Sequence, residues 1–246
     1  MNNKYNPIHI IVDMLYPRRC PVCGEIVIPR GELICSSCAN TFLLVAEPKC
    51  KKCSKPMDNE EKEYCHDCEK NKHHYVKGFS VWVYDEAMKK SIADFKYKGK
   101  KEYADYYVAK VIEQYGEHIK GIKPDILVPI PIHIKKERQR GYNQAGILAK
   151  EIGRKLNIPV SLHLLQRDKY TLPQKQLNNA ERLKNLEKAF SYSKINFEKI
   201  GLPIHKVLLI DDIYTTGSTI EACTKILISQ GIKEVYFLSL CIGKGF

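Results

Sequence analysis

Along the C-terminal two thirds of the chain, apolar residues recur in two alternating rhythms, and these predict its elements. Residues 126–131 read Ile-Leu-Val-Pro-Ile-Pro, an apolar run that predicts a buried strand ending in a proline-stiffened loop. After it, Ala145, Leu148, Ala149, Ile152 and Leu156 fall on one face of a helix. Residues 158–165 alternate loosely and predict a second strand. Residues 207–211 predict a third. Ile220, Cys223, Ile226 and Leu227 then predict a helix over 218–230, with Gly231 placed as its C-terminal cap, and 235–240 predict a last strand. Short strands alternating with helices imply a mainly parallel sheet with right-handed crossovers, and such sheets bind ligands at the carboxyl ends of their strands. Asp211 and Asp212 stand at one such end and the loop after Pro131 at another, which allows the two to share one site.

The first 75 residues follow neither rhythm. Cys20 and Cys23, Cys35 and Cys38, Cys50 and Cys53, Cys65 and Cys68 form four C-x-x-C knuckles, each beginning 15 residues after the last. Two such turns complete a tetrahedral thiolate site for Zn²⁺, so the eight thiols predict two closed, structural zinc sites. Equal spacing does not separate sequential pairing of the knuckles, which we expect, from a cross-braced pairing. His66, His73 and His74 are expected at the surface, and Cys223 and Cys241 as structural thiols. The division predicted is a zinc module over residues 1–75 and an α/β domain over 76–246.

Charge adds a constraint on partners. The formal net charge of +12 lies almost wholly beyond residue 75, which fits a polyanionic partner or a strongly anionic substrate. Residues 1–20 lack a secretory pattern and no segment is long and apolar enough for a transmembrane helix, so a cytoplasmic protein is expected. Paired cysteines in that reducing compartment suggest metal.

The candidate chemistry is concentrated in residues 207–219. Four apolar residues deliver Asp211 and Asp212, and Thr215, Thr216, Gly217, Ser218 and Thr219 follow at the start of a helix. Backbone N–H groups and hydroxyls there form a phosphate cup. Neither the P-loop nor the dinucleotide motif is present. Two carboxylates beside a phosphate cup call for sugar hydroxyls and a divalent cation. In the basic loop after Pro131, Lys135, Lys136, Arg138 and Arg140 are candidates for anion contacts.

Four hydrophobics, two acids, two variable residues and T-T/S-G-x-T make this stretch resemble the signature of type I phosphoribosyltransferases. The resemblance implies that Asp211 and Asp212 hold the ribose hydroxyls of phosphoribosyl pyrophosphate. Thr215 to Thr219 would take its 5′-phosphate, and Mg²⁺ would accompany the pyrophosphate. Val128-Pro129-Ile130-Pro131 and Arg140-Gly141-Tyr142-Asn143-Gln144 narrow the likeness to the ComF family (competence protein F). So do Phe95-Lys96-Tyr97-Lys98-Gly99 and, further on, Thr171, Gln174, Leu177, Arg182 and Asn185. The expected fold is a type I phosphoribosyltransferase-like sheet flanked by helices, with a small N-terminal zinc-ribbon module.

By the same resemblance, 166–190 would form a lid over the pyrophosphate. Lys135, Arg138, Arg140, Lys169 and Arg182 are then candidates to meet the leaving group. The family also implies a setting in DNA uptake, with single-stranded DNA as a partner. Lys89, Lys90, Lys96, Lys98, Lys100 and Lys101, interleaved with Phe95, Tyr97 and Tyr103, would contact its phosphates and bases. The acceptor of a phosphoribosyl transfer is not indicated, and the alternative is a non-catalytic single-stranded DNA-binding competence factor that uses the pocket as a sensor or anchor.

Overall fold

The computed structural model describes residues 16–168, 188–198, 201 and 203–243. Lys169 and Arg182, with most of the expected lid, lie outside these residues. A short helix α1 (His66–Lys70) closes the zinc module, and the chain then enters strand β1 (Gly78–Val83). Helices α2 (Glu86–Tyr97) and α3 (Tyr103–Ile122), strand β2 (Ile126–Pro129), and helices α4 (Ile134–Arg140) and α5 (Gln144–Leu156) follow. Strands β3 (Leu165–Arg167) and β4 (Phe190–Tyr192) and helix α6 (Lys194–Glu198) precede the last unit, β5 (Lys206–Tyr214), α7 (Ser218–Ser229) and β6 (Glu234–Ile242).

The main sheet is wholly parallel, in the order β1-β6-β5-β2, and β3 and β4 form a separate antiparallel pair. Its strands are apolar at successive positions because both faces are covered. On one face Leu208, Ile210, Leu238 and Leu240 meet Ile92 and Phe95 of α2, Tyr107 and Val111 of α3, and Leu148 and Ile152 of α5. On the other, Val207, Leu209, Val235 and Phe237 meet Ile220, Cys223 and Leu227 of α7. The chain leaves β2 toward the first face and β5 toward the second, so the crevice between these neighbours is a topological switch point, where ligands bind in open α/β sheets.

Three expectations change. Residues 158–165 do not form a strand: Val160 alone bridges Leu127, and the next strand begins at Leu165 in the other sheet. Pro159 accepts a bond from Leu127 but has no N–H to extend a ladder. The strand expected over 207–211 runs on to Tyr214, paired beyond Ile210 only with β6, so the two acids lie on a stretch that overhangs the end of β2. Phe95 and Tyr103 are core residues rather than a stacking surface, leaving Tyr97, 64% exposed, as the open ring of that trio.

Candidate functional site

The zinc module resolves into two clusters. Cys20, Cys23, Cys35 and Cys38 gather in one and Cys50, Cys53, Cys65 and Cys68 in the other, all sulfurs of a cluster within 4.8 Å, so the knuckles pair sequentially. A zinc tetrahedron with bonds of about 2.3 Å has sulfur–sulfur edges of about 3.8 Å. Cys53 Sγ and Cys65 Sγ lie 3.6 Å apart, and the second set therefore fits the ion. Four thiols in contact cannot all ionise unaided. Hydrogen bonds from Cys53, Cys65 and Cys68 hold the Cys50 thiol below its ordinary value, while contacts with Cys50, Cys65 and Cys68, and then burial, push Cys53 above it. Lys55, buried and paired with Asp67, adds positive charge beside these sulfurs.

At the switch point, β5 presents the acid pair. Asp212 is 9% exposed, and its backbone N–H donates to Asp211 Oδ1 at 2.8 Å. Desolvation, then the charge of Asp212, pushes the Asp211 carboxyl up to about 7. Lys96 Nζ meets Asp212 Oδ2 at 2.7 Å. Burial alone would lower the Lys96 ammonium, but its carboxylate partner raises it. The Arg167 guanidinium, 5.2 Å over the Phe190 ring, is lowered by burial and drawn back up by Cys223 and Asp211. Lys136 is lowered by burial and by its neighbours Arg167, Arg140 and Lys96. Lys96 and Arg167 thus bear on the two acids, and Lys136 and Arg140 stand next to these cations. Arg167 also lines a cavity of about 630 Å³ with Pro131, Glu137, Tyr142, Lys150 and His163.

Residues 215–219 turn from β5 into α7. Gly217 takes φ +76°, a left-handed conformation that favours glycine, and its carbonyl accepts the N–H of Glu221 at 2.8 Å. Thr216 Oγ1 and Ser218 Oγ share a hydrogen bond of 3.0 Å, and Thr215 is exposed. The N-terminal amides of a twelve-residue helix therefore open beside the acids, together with small hydroxyls.

Residues 140–144 act as a joint. Gly141, at φ +79°, ends α4, and the Asn143 side chain caps α5 by accepting from Ala145 N–H while donating to the Ile130 carbonyl. The Tyr142 hydroxyl donates to the Phe95 carbonyl and Gln144 Nε2 to that of Lys96, which ties the end of α2 in place and delivers Lys96 to Asp212. Arg140 donates to Gln144 Oε1 at 3.0 Å and to the Tyr97 hydroxyl at 2.9 Å, with its guanidinium 4.8 Å over the Tyr97 ring. Its Nε is buried with no hydrogen-bond partner among the described residues.

Of the cations picked out in the sequence, Arg140 and Lys136 join the cluster, while Lys135 and Arg138 are exposed on α4. Lys96 faces the acids rather than solvent, which corrects its placement among the surface lysines, and Arg167 is a site cation that no sequence pattern marks. The signal available for Lys96 is its place in the 95–99 motif. His73 corrects another expectation: its side chain is 5% exposed, stacked 5.0 Å from Tyr75, while His74 meets the buried carboxylate of Glu221.

Comparison with known proteins agrees with both parts of this description. The double zinc ribbon domain family matches residues 11–69 and the phosphoribosyl transferase domain family residues 101–245. Competence protein ComFC of Streptococcus pneumoniae is 31% identical over 90% of this chain and 99% of its own. Competence protein F of Haemophilus influenzae is 29% identical over 88% and 93%. The DNA utilization protein YhgH of Escherichia coli is 28% identical over 48% of this chain and 49% of its own. With two four-cysteine clusters ahead of a helix-flanked parallel sheet, the chain belongs to the competence protein F family of phosphoribosyl transferase domain proteins.

Proposed function

We propose that the crevice between β2 and β5 binds phosphoribosyl pyrophosphate with Mg²⁺ and transfers the phosphoribosyl group to an acceptor, in the service of DNA uptake. The supporting observation is the acid pair beside both the N-terminus of α7 and the cations Lys96 and Arg167, with Lys136 and Arg140 next to them. Asp211 and Asp212 would accept hydrogen bonds from the ribose 2′- and 3′-hydroxyls. The loop of Thr215, Thr216, Gly217, Ser218 and Thr219 would donate to the 5′-phosphate. Arg140, whose buried Nε has no partner among the described residues, and Lys136 are suited to the pyrophosphate. Pyrophosphate departure leaves positive charge on the sugar, which the carboxylates stabilise while the cations stabilise the leaving group.

The raised pKa of Asp211 fits a divalent cation, because two adjacent carboxylates ionise together more readily beside one. Mg²⁺, when bound, supplies charge neutralisation of the pyrophosphate. Lys96 would hold the Asp212 side chain in place through their ion pair. The test is calorimetric titration of phosphoribosyl pyrophosphate with Mg²⁺ into wild type and into Asp211→Asn/Asp212→Asn. Binding by wild type alone is expected; no binding by either would overturn this reading.

A second reading, a non-catalytic protein that handles single-stranded DNA, draws support from the +12 charge and from the relatives named for competence and DNA utilization. Lys89, Lys90, Tyr97, Lys98 and Lys101 are all exposed. It requires an affinity for an oligonucleotide that falls steeply with salt and survives Asp211→Asn. A salt-independent affinity would sink it.

A further inference from the structure

The second zinc ribbon reaches the loop of residues 215–219 through an unbroken run of buried contacts. Tyr75, fully buried, follows the last knuckle, and its hydroxyl lies 4.0 Å from Cys68 Sγ. The same hydroxyl shares a 2.8 Å hydrogen bond with that of Tyr214. Phe237 braces both rings, edge-on to Tyr75 at 4.9 Å and flat against Tyr214 at 4.7 Å. The Tyr214 hydroxyl lies beneath the loop, so close that a Cβ on Gly217 would stand 2.4 Å from it. A parallel tether joins the same partners. His74 donates its backbone N–H to Glu221 at 2.9 Å, and Glu221 returns its own N–H to the Gly217 carbonyl.

We propose that Tyr75 is a positioning residue for the phosphate loop, its hydroxyl holding Tyr214 against Gly217 so that the second ribbon sets the loop's conformation. Tyr75 is itself fully buried. It acts through the single backbone position whose left-handed geometry aims the loop's N–H groups. The effect on ligand affinity rests on the phosphoribosyl pyrophosphate reading above, whereas the effect on the loop does not.

The experiment compares the full zinc-loaded chain with Tyr75→Phe, Tyr214→Phe and the double variant, all of which keep their rings. Hydrogen exchange of the amides from Glu221 to Thr224 is measured, with α3 as the internal reference and zinc content as a control. Each single variant is expected to speed exchange at those amides about fivefold, the size of one neutral hydrogen bond. Zinc should stay at two per chain and α3 should not change. The double variant should cost no more than either single one, because both remove the same bond. Unchanged exchange in Tyr75→Phe, an equal rise in α3, or additive effects would each overturn the proposal. Titration with phosphoribosyl pyrophosphate and Mg²⁺ is expected to show about a fivefold weaker affinity for Tyr75→Phe. Absence of binding by wild type would refute the ligand assignment, and the exchange rates would still decide whether Tyr75 positions the loop.

Discussion

The two zinc ribbons are alike in spacing and unlike in attachment. The first keeps a small core of its own in Cys20, Val27, Cys35 and Cys38, and leans on the helical face of the sheet through Val22, Leu33 and Ile34. Its polar link is Arg18, which donates to the Glu102 carbonyl and pairs with Asp105 at 2.7 Å. The second has no core apart from the domain: Cys50, Cys53, Cys65 and Tyr75 belong to the same apolar cluster as Tyr214, Ile220 and Phe237. One ribbon is fastened to the outside of the fold, and the other forms part of the wall behind the loop of residues 215–219. Equal knuckle spacing thus goes with unequal attachment, because what differs is the packing behind each cluster.

Removing one ligand from each ribbon should give the largest contrast. Cys20→Ser and Cys65→Ser are each expected to drop zinc from two to one per chain by elemental analysis. Cys65→Ser should also lower Tm by about 10 °C or more and abolish binding of phosphoribosyl pyrophosphate. Cys20→Ser should leave that affinity within about twofold, since its cluster sits apart from the loop. Equal losses of binding would break the distinction.

Gly217→Ala tests the near end of the same wall. At φ +76°, with Tyr214 Oη 2.4 Å from the new Cβ, the substitution should cost about 1–3 kcal/mol, read by thermal unfolding. Adding Tyr214→Phe should restore part of that loss, because the hydroxyl is the nearest atom.

From the site side, pH sharpens the comparison. Asp211 is protonated below about 7, so affinity for the Mg²⁺ complex should rise from pH 6 to pH 7 and level off above. The slope should approach about tenfold per pH unit and vanish in Asp211→Asn, measured by calorimetry. For the free protein the sign is reversed. Asp211 holds its proton more tightly folded than unfolded, so its contribution to stability falls as pH rises from about 4 to about 7. A ribbon-one variant should keep this whole profile. The smallest effect is expected of Arg18→Ala, about 0.5 kcal/mol by denaturant titration and no change in ligand affinity, because the Arg18–Asp105 pair is partly solvated.

Whatever repeats or lies within one short stretch is legible from the residues alone. The knuckles announce their metal by spacing, and residues 207–219 carry acids, turn and helix start in a single segment. The end of β5 is not legible in this way, because Ile213 and Tyr214 continue the ladder with β6 after β2 has stopped, a matter of neighbours and not of propensity. Lys96 is hidden among surface lysines because its direction depends on the bonds that Tyr142 and Gln144 make to the end of α2. His73 is polar and flanked by polar residues, yet its side chain is buried beside Glu221 of α7, a contact far along the chain that no local pattern encodes.

Sequence separation gives the link between ribbon and loop a further consequence, one of timing. Tyr75 and Tyr214 are 139 residues apart and His74 and Glu221 are 147. Closing so long a stretch of chain is slow compared with folding two adjacent knuckles around an ion. During synthesis the second ribbon can therefore take its metal well before α7 exists, and the pocket is completed only when the final βαβ unit docks onto it. Pulse-labelled exchange during refolding should accordingly show residues 50–68 protected before residues 217–224.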